Sequence, residues 1–402
     1  MLRFFALPYI ASGFVAMLVG YTSAAAIVFQ AAAASGASPD KISSWMWSVG
    51  VGMGLCGIAL SMKYKAPVII AWSTPGAALL VTSLPGVPMG DAVGAFLFCS
   101  FLLTLCGITK WFEKIMEYVP QSIAAAMLAG VLLSFGLNAF SALQTEFSMV
   151  FLMLATYVVG KRYQPRYVIP ITLVVGVIFA ALNGTLNNEG IALSLTVPVW
   201  TTPSFSLPII LGVGVPLFIV TMASQNIPGI AVLRAHGYKT PASPLITWSG
   251  ITGLFFAPFG GYAFNLGAIT ASICMSEVVD PNPAKRYYAT IWAGIFVLLM
   301  GLFGATVTAL FTLFPRELIM AIAGLALVST ISNSLKIALE VGEEREAAFI
   351  TFAITASGLT LLTVGAPFWG LLAGLGIHYF LKLARPKNTQ TVQAANSGSS
   401  SS

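Results

Sequence analysis

Residues 66–77, Ala-Pro-Val-Ile-Ile-Ala-Trp-Ser-Thr-Pro-Gly-Ala, occupy an apolar stretch that should cross a membrane and cannot do so as one helix. Residues 68–71 form a short run rich in β-branched side chains. Ser73-Thr74-Pro75 then reads as a helix start, with a hydroxyl cap and proline in the first turn. The helix that remains, 76–82, is only half a membrane thick. Non-helical backbone is tolerated at that depth only where it lines a cavity or is buried in protein. The pattern recurs 191 residues later as Ala257-Pro258-Phe259-Gly260-Gly261-Tyr262-Ala263-Phe264-Asn265-Leu266-Gly267-Ala268. Ala66, Pro67, Gly76 and Ala77 fall on Ala257, Pro258, Gly267 and Ala268. Paired interruptions in corresponding halves are the sequence pointer to a transporter's binding site.

Composition fixes the solvent. Only 8% of the 402 residues are charged and 57% are hydrophobic, against about 25% charged in a soluble domain. Fourteen apolar segments read as spans, at about 10–34, 42–62, 67–84, 91–110, 120–141, 147–160, 166–184, 208–233, 243–258, 261–275, 287–311, 317–337, 346–361 and 364–383. The first carries no cleavage signature and is read as a span. With both termini cytoplasmic and every span crossing, seventeen Lys and Arg fall inside, and only Lys41 and Arg316 fall outside. Seven spans per half makes the repeat inverted, about an axis in the membrane plane. Two echoes support it: Pro120 leading to Gly130 resembles Pro315 leading to Gly324, and Leu7-Pro8 resembles Leu207-Pro208. The expected fold is an all-α membrane protein with a 7+7 inverted repeat whose spans 3 and 10 are a short strand plus a half-helix.

In that topology both half-helices start near the midplane. Each start exposes unpaired N–H groups and about half a positive charge, an anion site that needs no Arg or Lys. Ser73, Thr74 and Asn265 add polar groups, while Trp72 and Phe264 supply flat walls. Anion capture beside flat apolar walls suits an aromatic acid. The plainer reading, a cap for the hydroxyls and packing for the rings, stands beside it for each side chain. A third polar element, Thr221-Met222-Ala223-Ser224-Gln225-Asn226-Ile227-Pro228-Gly229, interrupts a span, and Gln225 and Asn226 read as part of a substrate path. Tyr21 and Gln30 are its weaker counterparts in the first half, where interhelical packing accounts for them equally well. All thirteen acidic residues sit at span ends, so no central proton carrier is visible. Cys56, Cys99, Cys106 and Cys274 form no metal-ligand spacing and read as reduced packing residues. No metal or cofactor is expected, no basic cluster is long enough for nucleic acid, and no nucleophile–base pair points to an enzyme. Residues 111–117 read as an interfacial amphipathic linker, 183–207 as an external flap, and 387–402 as a disordered tail.

The motifs Trp72-Ser73-Thr74-Pro75-Gly76-Ala77, 221–229 and Ile322-Ala323-Gly324-Leu325-Ala326-Leu327 resemble those of the bacterial benzoate/proton symporter (BenE) family, and the resemblance runs from about 13 to 383. It implies the fold shared with uracil and xanthine permeases and sulfate-type anion transporters. In that fold residues 1–110 (spans 1–4) and 208–311 (spans 8–11) are a core domain. Residues 111–207 (spans 5–7) and 312–386 (spans 12–14) are a gate. Carried over by that resemblance, the position that is an acidic nucleobase ligand in uracil-type relatives looks like Gln225 here, and the acidic position at the start of span 10 looks like Phe264. Both departures remove negative charge, which argues for an anion. The resemblance implies a secondary transporter of the bacterial inner membrane that imports a benzoate-like aromatic carboxylate with a proton. The alternative on the same fold is an anion channel or uncoupled facilitator. The expected site comprises Trp72, Ser73, Thr74, Gly76, Gln225, Asn226, Phe264, Asn265, Leu266 and Gly267, with Tyr21 and Gln30 as outer members. The partners are the aromatic acid, the proton, the lipid bilayer and, by the habit of relatives, a second copy bound through the gate.

Overall fold

A computed structural model describes residues 2–111, 120–165, 167–186, 193–277, 279–361 and 366–384. Most of the linker at 111–117, part of the flap at 183–207 and all of the tail at 387–402 lie outside the described residues. The chain is helical almost throughout: α1 Leu7–Ala34, α2 Pro39–Tyr64, α3 Thr74–Ser83, α4 Met89–Thr109, α5 Gln121–Ser141, α6 Phe147–Tyr163 and α7 Val168–Leu182 make the first half. The second half comprises α8 Leu207–Arg234, α9 Ala242–Phe256, α10 Ile269–Met275, α11 Tyr287–Leu302, α12 Gly304–Leu313, α13 Arg316–Glu340, α14 Arg345–Ala356 and α15 Ala366–Ala384. Among the described residues five helices (α2, α4, α5 with its 3-10 extension, α8 and α13) are each long and apolar enough to cross a membrane alone, and bent pairs raise that to seven. Large apolar side chains such as Phe101, Phe151, Val174, Ile178, Phe255 and Leu372 are exposed on the outside of the bundle. Water would not leave such a surface uncovered, whereas lipid tails cover it at no cost.

At both places that the sequence singles out, a short strand precedes a short helix. Ahead of α3 lies a two-residue strand, β1 Ile70–Ala71, and ahead of α10 lies β2 Asn265–Leu266. The strands pair antiparallel, Ile70 opposite Leu266 and Ala71 opposite Asn265. The Gly267 N–H extends the pairing by donating to the Ile69 carbonyl at 2.9 Å. Each half therefore satisfies the backbone that the other half's interruption leaves open.

Packing between the halves is reciprocal. The second helix, α2, lies along α11, and its counterpart in the other half, α9, lies along α4; α5 lies along its own counterpart, α13. A two-fold relation between halves demands this exchange. The close crossings use glycine. A Cβ on Gly50 would stand 2.5 Å from the Gly301 Cα, and one on Gly250 would stand 2.5 Å from the Thr104 N and 2.9 Å from the Ser100 carbonyl. Since backbone cannot yield as a side chain can, Gly250→Val should destabilise by about 1–3 kcal/mol or more. The readout is a lower thermal midpoint in detergent, with less monodisperse protein recovered.

The segment 193–206 has no regular secondary structure and is held to the helices by backbone and hydroxyl hydrogen bonds. The Thr196 N–H donates to the Leu302 carbonyl (2.9 Å) and Thr196 Oγ1 accepts from the Ala305 N–H (2.7 Å). These two bonds satisfy groups released where the chain bends by 69° between α11 and α12. The Val199 N–H donates to Ser44 Oγ at 2.9 Å, and Ser204 Oγ donates to Asp91 at 2.6 Å.

Candidate functional site

One cavity of about 940 Å³ lies between two walls. The first wall is built from α1, the β1 segment, the start of α3, the middle of α8, α10 and α11; the second is built from α5, α6, α7 and α13. The local structure of each contributor follows from its sequence. Ser73 precedes α3 and accepts the Gly76 N–H on its Oγ at 3.0 Å, as an N-cap should. That leaves Thr74 and Pro75, in the first turn, to face the cavity. In α8 two π turns, Ile210–Gly214 and Met222–Asn226, each end two residues short of a proline, Pro216 and Pro228. Proline has no N–H to return to the carbonyl four residues earlier, so the ladder slips by one residue there. The second slip turns Ser224 and Gln225 into the cavity and Asn226 away from it.

The site residues expected from sequence divide into two groups. Tyr21, Trp72, Thr74, Gln225 and Gly267 line the cavity together. Ser73, Gly76, Asn226, Phe264, Asn265 and Leu266 stand behind its wall. A Cβ on Gly76 would meet the Leu217 side chain at 2.7 Å, and Phe264 is fully buried, 6.1 Å from Phe256 between ring centroids. Asn226 Oδ1 accepts the Leu266 N–H at 3.0 Å, tying α8 to β2. Asn265 Nδ2 donates to the Ala263 carbonyl at 2.9 Å, and Ala263 itself takes φ 42°. A left-handed residue with a Cβ costs energy and persists only where its surroundings hold it. Gln30 lies away from the cavity lining, its Nε2 buried and unpartnered among the described residues.

Tyr21 gains the most from the structure. Its ring leans on Trp72, with centroids 5.1 Å apart and planes at 55°, and its buried hydroxyl has no hydrogen-bond partner among the described residues. A buried phenol left unpaired costs about 1–3 kcal/mol, a deficit that a ligand oxygen removes. Cavity residues outside the site expected from sequence include Ser224, Thr270, Tyr157, Lys161 and the α13 face from Leu325 to Ile337, although Ser224 lies in the polar stretch 221–229 and Leu325 in the motif 322–327. Among the described lining residues there is no Asp, Glu or His.

The far end of α10 is closed by a charge of the appropriate sign. Arg286, buried at 6% exposure, donates from Nη1 to the carbonyl of Met275, the last residue of α10, at 2.7 Å. Its Nε donates to the Asp280 carbonyl at 2.8 Å. A cation there complements the helix dipole. The Tyr9 hydroxyl donates to the Asp280 carboxylate, joining α1 to the same turn. That hydroxyl, then the Asn282 N–H and the charges of Lys285 and Arg286, holds the Asp280 carboxyl below its ordinary range despite some burial.

Comparison with known proteins agrees with the geometry. The family model described as benzoate membrane transport protein matches residues 3–380. The chain is similar to the inner membrane protein YdcO of Escherichia coli (strain K12), 45% identical over 381 residues, 95% of this chain and 97% of that one. It is also similar to the benzoate membrane transport protein of Acinetobacter baylyi, 39% identical over 376 residues, 94% of this chain and 95% of that one. Among solved structures it resembles the transmembrane domain of the cyanobacterial bicarbonate transporter BicA, with TM-score 0.61 at 13% identity, covering 92% of this chain and 97% of that one. It likewise resembles the murine Solute Carrier 26 family member A9 anion transporter in its inward-facing state, with TM-score 0.60 at 10% identity, covering 94% of this chain and 68% of that one. The last two likenesses are of fold. The chain belongs to the benzoate membrane transport protein family, whose members are membrane transporters and not enzymes.

Proposed function

We propose that the protein is a secondary transporter that carries an aromatic carboxylate, benzoate or a close relative, together with a proton across the bacterial inner membrane. The observation that carries this reading is the convergence of Tyr21, Trp72, Thr74, Gln225 and Gly267 on one cavity beside two paired interruptions. The acid's carboxylate takes the Thr74 end of α3, a helix of ten residues, together with the Gln225 amide and the Tyr21 hydroxyl. Its ring takes the Trp72 face. Positive potential at a helix start and neutral donors hold an anion without a counter-ion, so release needs no ion pair to be broken.

All fourteen segments cross in this reading, spans 3 and 10 as strand plus half-helix, and both termini are cytoplasmic. Residues 1–110 and 208–311 move as the core against the gate formed by 111–207 and 312–386, and a second copy associates through the gate. The cavity reaches the exposed residues Gln121, Lys161 and Asn333 at one end, the end that the distribution of basic residues places in the cytoplasm. At the opposite end Ile27, Val28, Ala31, Leu79, Leu80 and Leu84 are fully buried, and Phe29 stacks on Phe311 at 5.6 Å. This is the inward-open state of an alternating-access cycle.

The test is uptake of labelled benzoate into proteoliposomes, with and without an imposed inward proton gradient. Accumulation above equilibrium that collapses with the gradient is the expected result. Equal flux in both conditions favours the channel or uncoupled facilitator. A thermal-shift panel of benzoate, substituted benzoates, uracil and sulfate fixes the ligand class, since a true ligand raises the midpoint by mass action.

A further inference from the structure

We propose that the surface end of the cavity is a second subsite for the carboxylate, built on Lys161, where the acid pauses between the central pocket and the cytoplasm. The inference rests on the functional reading above for the ligand and for the side it faces. Lys161 is the one charged side chain among the described residues lining the cavity. A basic residue in the last turn of a span commonly reaches out to lipid headgroups. This one reaches across instead, and its Nζ donates to Ser329 Oγ on α13 at 2.7 Å. An ammonium carries three donors, so this bond leaves two for a ligand.

The surroundings supply the rest of a site. Tyr157, one turn earlier on α6, lines the same cavity and is 8% exposed. Its ring centroid lies 5.9 Å from the ammonium. A carboxylate on Lys161 therefore places an attached aromatic ring within reach of a fixed aromatic wall. Opposite, α13 turns Ser329, Thr330, Asn333 and Ser334 to the cavity, four polar side chains at helical spacing on one face. The neighbouring Arg162 does none of this: its guanidinium lies 5.9 Å from the exposed Tyr163 ring, outside the cavity lining. The two basic residues are adjacent in sequence and distinct in surroundings, so Arg162 is the internal control.

A cation at a mouth whose described lining residues include no acid raises the local concentration of anions and acts mainly on the rate of encounter, an effect that salt screens. The position also makes the effect one-sided. In membrane vesicles of both orientations, Lys161→Gln is expected to raise the benzoate KM at the cytoplasmic face about tenfold and leave the KM at the opposite face within about twofold. The salt dependence of the cytoplasmic KM should flatten in the same variant. Lys161→Arg should keep the salt dependence, and Arg162→Gln should match the wild type on both faces. A purely structural role for Lys161 would move both faces together and lower the thermal midpoint. An unchanged cytoplasmic KM in Lys161→Gln, equal shifts on the two faces, or an equal shift in Arg162→Gln would overturn the subsite while the transport reading stands. Absence of benzoate binding by the wild type would overturn the functional reading itself, and the subsite with it.

Discussion

Gln225→Glu is expected to weaken benzoate binding by at least roughly a hundredfold at neutral pH while leaving the protein folded. The amide and the acid have the same shape, and Gln225 has no hydrogen bond among the described residues that the exchange would break. What changes is charge. Two carboxylates about 5 Å apart at an effective dielectric of about 20 repel by about 3 kcal/mol, roughly a hundredfold or more in Kd. The pH dependence carries the diagnosis. A half-buried glutamate is disfavoured in its charged form, and more so when a bound anion faces it. Binding lost at neutral pH should therefore return as the solution is acidified and the new side chain takes a proton. Titration calorimetry with benzoate across pH measures both. Equal affinity of the variant and the wild type at neutral pH would mean that the guest does not place its negative charge at the α8 turn, and the anion-pocket account would fail.

The sequence carried the elements well and the directions of side chains poorly. The cap at Ser73, the proline of α3 and the recurrence at 257–268 locate both interruptions, because capping and proline chemistry are local. The echoes Leu7-Pro8 and Leu207-Pro208 do open α1 and α8, and Pro120 and Pro315 do precede α5 and α13. Which member of a polar cluster faces the cavity is another matter. Gln225 and Asn226 are indistinguishable by composition, and the π turn between Met222 and Asn226 shifts the register that helical periodicity would assume. Trp72 and Phe264 look equivalent across the repeat. Phe264, however, fills a space left by Gly52, whose Cβ would stand 2.6 Å from the ring. That contact joins distant parts of the chain. Lys161 reads as one more cytoplasmic positive charge until α13 is laid against α6 and Ser329 comes within reach.

Asn226→Ala is expected to cost about 1–3 kcal/mol of stability and to cut transport more than the loss of stability alone would. Asn226 is fully buried and bridges two elements, α8 and β2, through its side chain. Its Oδ1 holds the Leu266 N–H at 3.0 Å, and its Nδ2 lies 3.2 Å from Met222 Sδ within the π turn. One turn on, the missing side chain of Gly229 lets the chain approach, since a Cβ there would stand 2.5 Å from the Leu266 Cβ. Alanine leaves the Leu266 N–H without an acceptor in a place water cannot reach. The strand that pairs with β1 is then free to shift against the turn carrying Gln225, and a ligand held by both loses its geometry. Asn226→Leu helps to separate the causes, because it keeps a branched side chain of somewhat larger volume in place while removing the amide's acceptor and its donor. If the bond matters, both variants lose benzoate affinity together and the leucine variant melts below the wild type. If the leucine variant binds benzoate like the wild type, then packing alone fixes α8 against β2. Gln225 would in that case owe its place to the prolines of α8 and not to the asparagine beside it.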